Sequence, residues 1–242
     1  MCGRFVQATP PSVLAEHFAV DEVAVEEHAP DYNVTPREVV PVVRVRAADG
    51  ARVLSSLRWG LVPSWAKDPG IGDRLVNARA ETLATTPSFR RAFAKRRCLV
   101  PADGFYEWRP GTAAGAGKPR KQPYFIRRRD GEPLALAGLW EVWRNPEVAD
   151  DDAPDAWLRT FVIVTTGANA VLAPIHDRMP VLLAPDAWDE WLDPQGADPA
   201  ALARLLVPAP DDVLEAYPVG TRVNRPGAND PDLVRQVERM EA

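Results

Sequence analysis

The chain begins MCGRF, and Cys2 is one of two cysteines in 242 residues. Cysteine is small enough to permit removal of the initiator methionine, which would leave Cys2 with a free α-amine and a free thiol on adjacent carbons. A polypeptide offers this 1,2-aminothiol nowhere else, and both groups are nucleophiles. The alternative is that a cysteine at a terminus, where chains usually fray, has no chemical role. The rest of the sequence has to decide between the two.

A second candidate for chemistry is the carboxylate in VPADGFYEW (100–108), a segment that predicts a strand. Side chains alternate along a strand, so Phe105 and Glu107 share one face. Tyr106 and Trp108 share the other. A carboxylate beside a phenylalanine is partly desolvated, which raises its pKa toward the range useful for proton transfer. The alternative is that Glu107 points to water from a half-buried strand.

A third candidate is His176 in LAPIHDRMPV (172–181), the one histidine outside the N-terminal thirty residues. Its loop is bounded by Pro174 and Pro180. An imidazole has an ordinary pKa of about 6.5 and can act as an acid or a base near neutral pH. A structural histidine fits the same segment.

Two further segments carry polar or aromatic residues that packing does not require. RWGLVPSW (58–65) places Trp59 and Trp65 around a proline in a predicted loop. LVNARAET (75–82) places Asn77 and Arg79 between apolar neighbours. Packing of a core does not explain these residues.

Composition limits the class of protein. Hydrophobic residues make up 46% and charged residues 26%, as in soluble globular proteins. No run reaches the roughly 18 apolar residues of a membrane span, and no signal peptide is recognisable, so we expect a cytoplasmic protein without a membrane partner. Two cysteines and three histidines without zinc-ligand spacing predict neither a disulfide framework nor a metal site, and we expect no cofactor.

The net charge of −5 argues mildly against a nucleic-acid partner, but the distribution of charge matters more than the sum. Basic runs occur at 89–97, 118–122 and 127–129, and acidic runs at 21–27 and 147–155. Such a pattern could give the molecule two electrically different faces. The alternative is that each run is a solvated surface.

The elements that must position these residues are mainly strands. Stretches rich in β-branched and aromatic residues predict strands at 39–46, 52–59, 97–101, 104–108, 123–129, 133–143, 159–166 and 180–184. Short helices are predicted at 9–18, with Thr9 as the cap, and at 87–95, 168–173, 185–192, 199–206 and 230–239. Because the strands do not alternate regularly with long helices, we expect an α+β fold with a largely antiparallel, barrel-like sheet.

Several blocks, taken in order, resemble the SRAP family, the SOS response-associated peptidases or abasic-site-processing proteins. The blocks are MCGRF, YNVTP (32–36), RWGLVPSWAKD (58–68), NARAET (77–82), RRCLVPADGFYEW (96–108), KQPYFIR (121–127), LAGLWE (136–141) and APIHDRMP (173–180). The resemblance implies a single SRAP domain over residues 2–230, with a β-rich core flanked by helices and a C-terminal tail at 231–242.

The resemblance also implies a function, the covalent capture of abasic sites in single-stranded DNA by the N-terminal cysteine as a thiazolidine. It identifies Cys2 as the crosslinking residue and places Asn77, Glu107 and His176 in the active site. It further implies that DNA is contacted by Gly3, Arg4, Trp65, Arg79 and Trp108. The peptidase of the family name is expected to release the N-terminal residue or the crosslink, since no Ser-His-Asp arrangement supports proteolysis of other proteins. Nucleoid association is expected while the protein is on DNA.

Two other functions fit parts of the sequence. An N-terminal-nucleophile amidase would also expose a cysteine by methionine removal and would form an acyl-enzyme with an amide substrate. A non-catalytic reader of damaged bases would stack them on Trp65 and Trp108 and would tolerate alkylation of Cys2.

Overall fold

The computed structural model describes residues 2–111, 121–195 and 198–239. Its strands are β1 (Phe5–Gln7), β2 (Glu22–Ala24), β3 (Asp31–Val34), β4 (Val39–Val45), β5 (Arg52–Trp59), β6 (Asn77–Arg79), β7 (Arg97–Ala102), β8 (Gly104–Arg109), β9 (Gln122–Arg128), β10 (Leu134–Arg144), β11 (Trp157–Gly167), β12 (Arg178–Pro180) and β13 (Leu214–Pro218). Its α-helices are α1 (Pro11–His17), α2 (Arg90–Lys95), α3 (Trp188–Leu192) and α4 (Pro199–Arg204).

The strands form two sheets. The smaller sheet has the order β13-β9-β8-β1-β3, and all of its pairings are antiparallel. The larger has the order β12-β11-β10-β7-β4-β5-β2, with β6 added beside β11. Because β11 also pairs with β5, the five strands from β11 through β5 close into a ring. The predicted α+β fold with a largely antiparallel, barrel-like sheet is confirmed.

The two faces of β7 show how the core is divided. Leu99 packs in a cluster with Phe93 of α2 and Trp191 of α3, so this face is covered by helices. Cys98 and Val100 point the other way, into a cluster that includes residues of the smaller sheet. Cys2 belongs to this second cluster.

The sequence predicted the long strands well and the short ones poorly. Strands of three to five residues at β1, β2, β3, β6 and β13 were missed. The strand predicted at 180–184 is β12, which ends at Pro180. Such short strands exist because a neighbour pairs with them, and they contain too few residues to show a period.

Three helix predictions need correction. The helix predicted at 168–173 is a turn at 170–175, in which the Asn169 side chain accepts a hydrogen bond from the Leu172 amide. The N-cap of α1 is Pro10, whereas the Thr9 hydroxyl donates to Asp103. The helix expected at 230–239 is a single 3-10 turn at Pro231–Val234.

The C-terminal residues pack on the domain as far as they are described. Leu233 is buried, and Gln236 forms a bridge with Val219. Residues 240–242 of the expected tail lie outside the described residues. The domain boundary at residue 230 stays a prediction.

The basic runs are neutralised or buried only in part where the structure describes them, since Arg90, Arg91 and Lys95 are exposed on α2. Arg127 pairs with Glu215, and Arg128 with Asp130. Arg97 is buried and donates to main-chain carbonyls at the ends of α2 and α3. Residues 118–120 of the run at 118–122 lie outside the described residues. None of the helices described is long and apolar enough to cross a membrane.

Candidate active site

The pairing of β1 with β8 brings the N-terminal residues to Glu107. Phe5 pairs with Phe105, and the Tyr106 amide donates a hydrogen bond of 3.0 Å to the Arg4 carbonyl. In an antiparallel ladder this register continues in both directions. It therefore runs residues 2 and 3 alongside the carboxylate of β8.

Cys2 is fully buried and belongs to the same apolar cluster as Phe5 and Phe105. Burial raises the pKa of its thiol, and the negative charge of Glu107 raises the thiol pKa further, while the Arg4 main-chain N–H opposes the shift. The thiol is therefore neutral at physiological pH. Residue 2 is packed into the domain, which removes the argument that it belongs to a frayed terminus.

Glu107 is 2% exposed, so the alternative of a carboxylate that points to water is wrong. Burial raises the pKa of this carboxyl, and the electrostatic interaction with His176 works against the rise. Desolvation is the larger effect, so the pKa of Glu107 is raised, as strand alternation predicted. A carboxyl in this state can hold a proton and release it closer to neutral pH than an exposed glutamate can.

Asn77 is the direct link between β6 and Cys2. The strand β6 runs parallel to β11, with Asn77 paired to Ile163. The Asn77 Nδ2 donates a hydrogen bond of 2.7 Å to the Cys2 carbonyl. Its Oδ1 is buried and has no hydrogen-bond partner among the described residues. An acceptor of this kind beside Cys2 is costly to bury unless a ligand group uses it.

His176 follows a turn in which its amide donates to the Leu172 carbonyl at 2.8 Å. Its Nδ1 accepts the Arg178 amide at 3.0 Å and lies 2.9 Å from Asp177 Oδ1. A ring that accepts the Arg178 amide at Nδ1 carries its proton on Nε2. The ring also interacts electrostatically with Glu107.

The residues expected to contact DNA differ in their surroundings. Arg79 is exposed, and its guanidinium makes no hydrogen bond or ion pair within the described part of the chain. Because Asn77 and Arg79 are two residues apart on β6, they share one face of the strand. Gly3 is half-buried beside Cys2. Trp65 is 53% exposed, whereas Trp59, expected in the same loop, is the last residue of β5 and is fully buried in the core.

Trp65 is not part of the cluster around Cys2. It lines an open cavity of about 460 Å³ whose charged lining residues are Lys67, Asp68, Asp73 and Arg74. The lining of this cavity includes none of Cys2, Glu107 and His176. The structure therefore brings together the four expected active-site residues, which are Cys2, Asn77, Glu107 and His176. Trp65 lines a different cavity.

Arg4 and Trp108 are both held by the segment 221–224, which the sequence analysis did not identify. Arg4 Nη1 donates to Asn33 Oδ1 at 2.8 Å and to the Val223 carbonyl, and burial lowers the pKa of the guanidinium. Trp108 Nε1 donates to Asn224 Oδ1 at 2.7 Å. The one available signal was the polar Asn33 inside the apolar strand YNV.

The fold and this cluster define a barrel-like α+β protein whose second residue is a buried cysteine beside a glutamate and an asparagine, with a histidine that interacts with the glutamate. A family model described as SOS response associated peptidase (SRAP) matches residues 1–226, and the chain belongs to this family.

The chain is similar to several named proteins. Abasic site processing protein YoqW of Bacillus subtilis is 41% identical over 239 residues, covering 97% of this chain and 99% of that protein. Abasic site processing protein YedK of Escherichia coli is 35% identical over 196 residues, 79% of each chain. A crystal structure of a protein from Bacteroides thetaiotaomicron is 26% identical, with a TM-score of 0.82 over 98% of this chain and 100% of that one.

Proposed function

We propose that this protein processes abasic sites by crosslinking itself to them in single-stranded DNA through Cys2, exposed by removal of Met1. The names of the similar proteins support abasic-site processing as the general role. The observation that carries the covalent step is the burial of Cys2 against Glu107, with Asn77 hydrogen-bonded to the Cys2 carbonyl.

The reaction begins at the amine. A ring-opened abasic sugar presents an aldehyde, and an α-amine of pKa about 7.7–8.0 is substantially unprotonated near neutral pH, unlike a lysine at about 10.4. Because burial keeps the Cys2 thiol protonated, the amine attacks the aldehyde carbon first. Loss of one water gives an imine.

The thiol then closes the ring. Sγ adds to the imine carbon, a C–S bond forms, and the thiol proton is transferred to the nitrogen, which completes a five-membered thiazolidine. Intramolecular closure benefits from effective molarities that can reach roughly 10⁵–10⁸ M. A bare imine invites β-elimination and strand cleavage, so closure of the ring shields the strand.

Glu107 is the proton-transfer group for the amine and the imine, because its pKa is raised and it lies beside Cys2. Asn77 fixes Cys2 by its carbonyl, and its Oδ1 can accept from the α-amine or a sugar hydroxyl. His176 acts on the sugar hydroxyl during ring opening and on the reverse reaction. This reversal is the lyase-like release, and removal of the N-terminal residue is the peptidase step.

DNA is held mainly through its phosphates. Arg79 is the most available cation near Asn77, and Arg4 offers a second, partly buried one. Gly3 permits close approach of the strand because it has no side chain. Trp65 and Trp108 offer apolar faces on which bases can stack. The protein is expected in the cytoplasm, and on the nucleoid when bound to DNA.

The test mixes the methionine-processed protein with single-stranded DNA that contains one abasic site and analyses the products on a denaturing gel. We expect a covalent band that resists heating. DNA with a chemically reduced abasic site, which has no aldehyde, is the matched control and should give none. An amidase would give no band with either substrate, and a non-catalytic reader would bind both without a covalent product.

A further inference from the structure

A single buried amide links Arg4 to the C-terminal part of the chain. Asn33 is 3% exposed, and its Oδ1 accepts the hydrogen bond of 2.8 Å from Arg4 Nη1. Its Nδ2 donates to the carbonyls of Arg225 at 3.2 Å and Ala228 at 2.9 Å. Both polar atoms of the Asn33 side chain are therefore hydrogen-bonded. Oδ1 binds the N-terminal segment through Arg4, and Nδ2 binds the segment 225–228.

The element held in this way is a turn at residues 221–229, which we call the C-terminal turn. Its Val223 carbonyl accepts from Arg4, and its Asn224 side chain accepts from Trp108. At its far end Asn229 accepts from the Tyr32 amide at 2.8 Å and donates to the Pro30 carbonyl at 3.1 Å. The turn is thus hydrogen-bonded to Arg4 and Trp108, two of the residues expected to contact DNA.

The C-terminal turn carries two arginines in different electrostatic states. Arg222 forms an ion pair with Asp230. Arg225 is exposed, and its guanidinium has no hydrogen bond or ion pair in the part of the chain that is described. Its main-chain carbonyl, by contrast, is tied through Asn33 to the Arg4 guanidinium. A fixed backbone that holds an unpaired cation near the Arg4 guanidinium is suited to binding an anion.

We propose that the C-terminal turn is a wall of the DNA-binding cleft, that Arg225 contacts a backbone phosphate there, and that Asn33 is the positioning residue that sets this turn relative to Arg4. The proposal rests on the proposed function, since the anion it assigns is a phosphodiester of single-stranded DNA. A guanidinium binds phosphate oxygens by charge-assisted hydrogen bonds without reading sequence. Arg225 should therefore add affinity equally for every base sequence.

The first experiment measures binding to undamaged single-stranded DNA over a series of salt concentrations. Each phosphate contact on a single strand contributes about 0.7 to the slope of log K against log salt. We expect Arg225→Gln to lower the magnitude of the slope by about 0.7. Arg90→Gln is the control, because it removes the same charge from the exposed side of α2. This helix packs on the face of β7 that points away from the cluster containing Cys2. A wild-type slope for Arg225→Gln overturns the phosphate contact.

The second experiment tests Asn33 by a double-mutant cycle. If Asn33 positions the turn, Asn33→Ala should weaken binding, and Arg225→Gln should cost less in that background than in the wild type. Equal costs in the two backgrounds overturn the positioning role. Thermal melting without DNA accompanies each variant, and Arg225→Gln, at a surface residue, remains decisive for the turn if Asn33→Ala does not fold.

Crosslinking at saturating abasic DNA separates this inference from the proposed function. Arg90→Gln, which alters neither the site around Cys2 nor the C-terminal turn, should then give the wild-type amount of covalent product. Absence of product from the wild-type protein would reject the proposed covalent chemistry. The salt slopes would still test whether Arg225 of the C-terminal turn contacts a phosphate. If the wild-type protein forms the covalent product and Arg225→Gln keeps the wild-type salt slope, only the proposed role of the C-terminal turn is rejected.

Discussion

The side-chain amide of Asn77 donates a hydrogen bond of 2.7 Å to the main-chain carbonyl of Cys2. This contact ties the N-terminal residues to β6, which is itself paired with β11 of the barrel. An N-terminal aminothiol would otherwise sample many orientations. The contact therefore orders the group that the proposed reaction uses.

Replacing Asn77 by Ala should slow crosslinking more than it destabilises the fold. Loss of one hydrogen bond costs about 1 kcal/mol of stability, whereas misplacing a reacting group by about 1 Å can cost on the order of 10²-fold in rate. Single-turnover crosslinking and thermal melting measure the two effects. Asn77→Ala with a normal rate would show that the contact does not orient Cys2 for reaction.

Glu107→Gln should retain some adduct, since the aminothiol has intrinsic reactivity, but it should react more slowly. Removal of a positioned acid or base typically costs about 10²–10⁴-fold where proton transfer limits the rate. The variant should also lose the pH dependence that the carboxyl gives to the wild-type rate. Rates measured from pH 5 to pH 9 test this, and identical profiles for both proteins would return Glu107 to a structural role.

The same substitution should stabilise the protein at neutral pH. Because the folded pKa of Glu107 is raised, the folded state binds more protons than the unfolded one between the two pKa values, and stability falls as pH rises through this window. Glutamine carries no such penalty. The difference in melting temperature between Glu107→Gln and wild type should therefore grow from pH 4 to pH 7. A constant difference would mean that burial does not penalise the ionised carboxylate.

The buried state of Glu107 could be predicted from strand alternation, because Phe105 fixes which face of β8 is apolar. The contact between Cys2 and Asn77 could not. It depends on the pairing of β1 with β8 and of β6 with β11, in which strands of three residues pair with partners about 85 to 100 positions away in the chain. Local patterns carry no information on such pairings.

The position of Asn33 marks a similar limit. Its neighbours Tyr32 and Val34 predict nothing about whether the amide between them faces water or the interior. The structure buries it because Arg4, Arg225 and Ala228 satisfy all its polar atoms. Resemblance to a family identified Arg4 and Trp108, but only the fold shows what holds them.

Arg79→Ala should weaken binding to single-stranded DNA by a similar factor for every flanking sequence, because a phosphate contact carries no base information. The salt slope should fall in magnitude by about 0.7. Binding measured on several oligonucleotides of different sequence tests both points. A strong sequence preference that disappears in the variant would indicate that Arg79 contacts bases.

His176→Ala should change reversal of the crosslink as well as its formation. The ring interacts electrostatically with Glu107, and an imidazole can both donate and accept a proton near neutral pH, so it is suited to move a proton in either direction. We expect isolated adduct to release DNA more slowly than the wild-type adduct does when excess competitor aldehyde traps the freed protein. Normal kinetics in both directions would leave His176 with a structural role.

The terminus provides the decisive test, because the proposed chemistry needs an unacylated amine and a thiol on one residue. Insertion of one residue before Cys2, or a block of methionine removal, converts that amine into an amide and should abolish the stable crosslink while DNA binding persists. Cys2→Ser keeps the amine, so it should form an imine that borohydride traps but no heat-stable adduct. Cys98→Ser is the matched control, since Cys98 is equally buried but has no terminal amine, and it should crosslink normally. Efficient crosslinking by the extended protein would show that a lysine or an internal cysteine is the nucleophile.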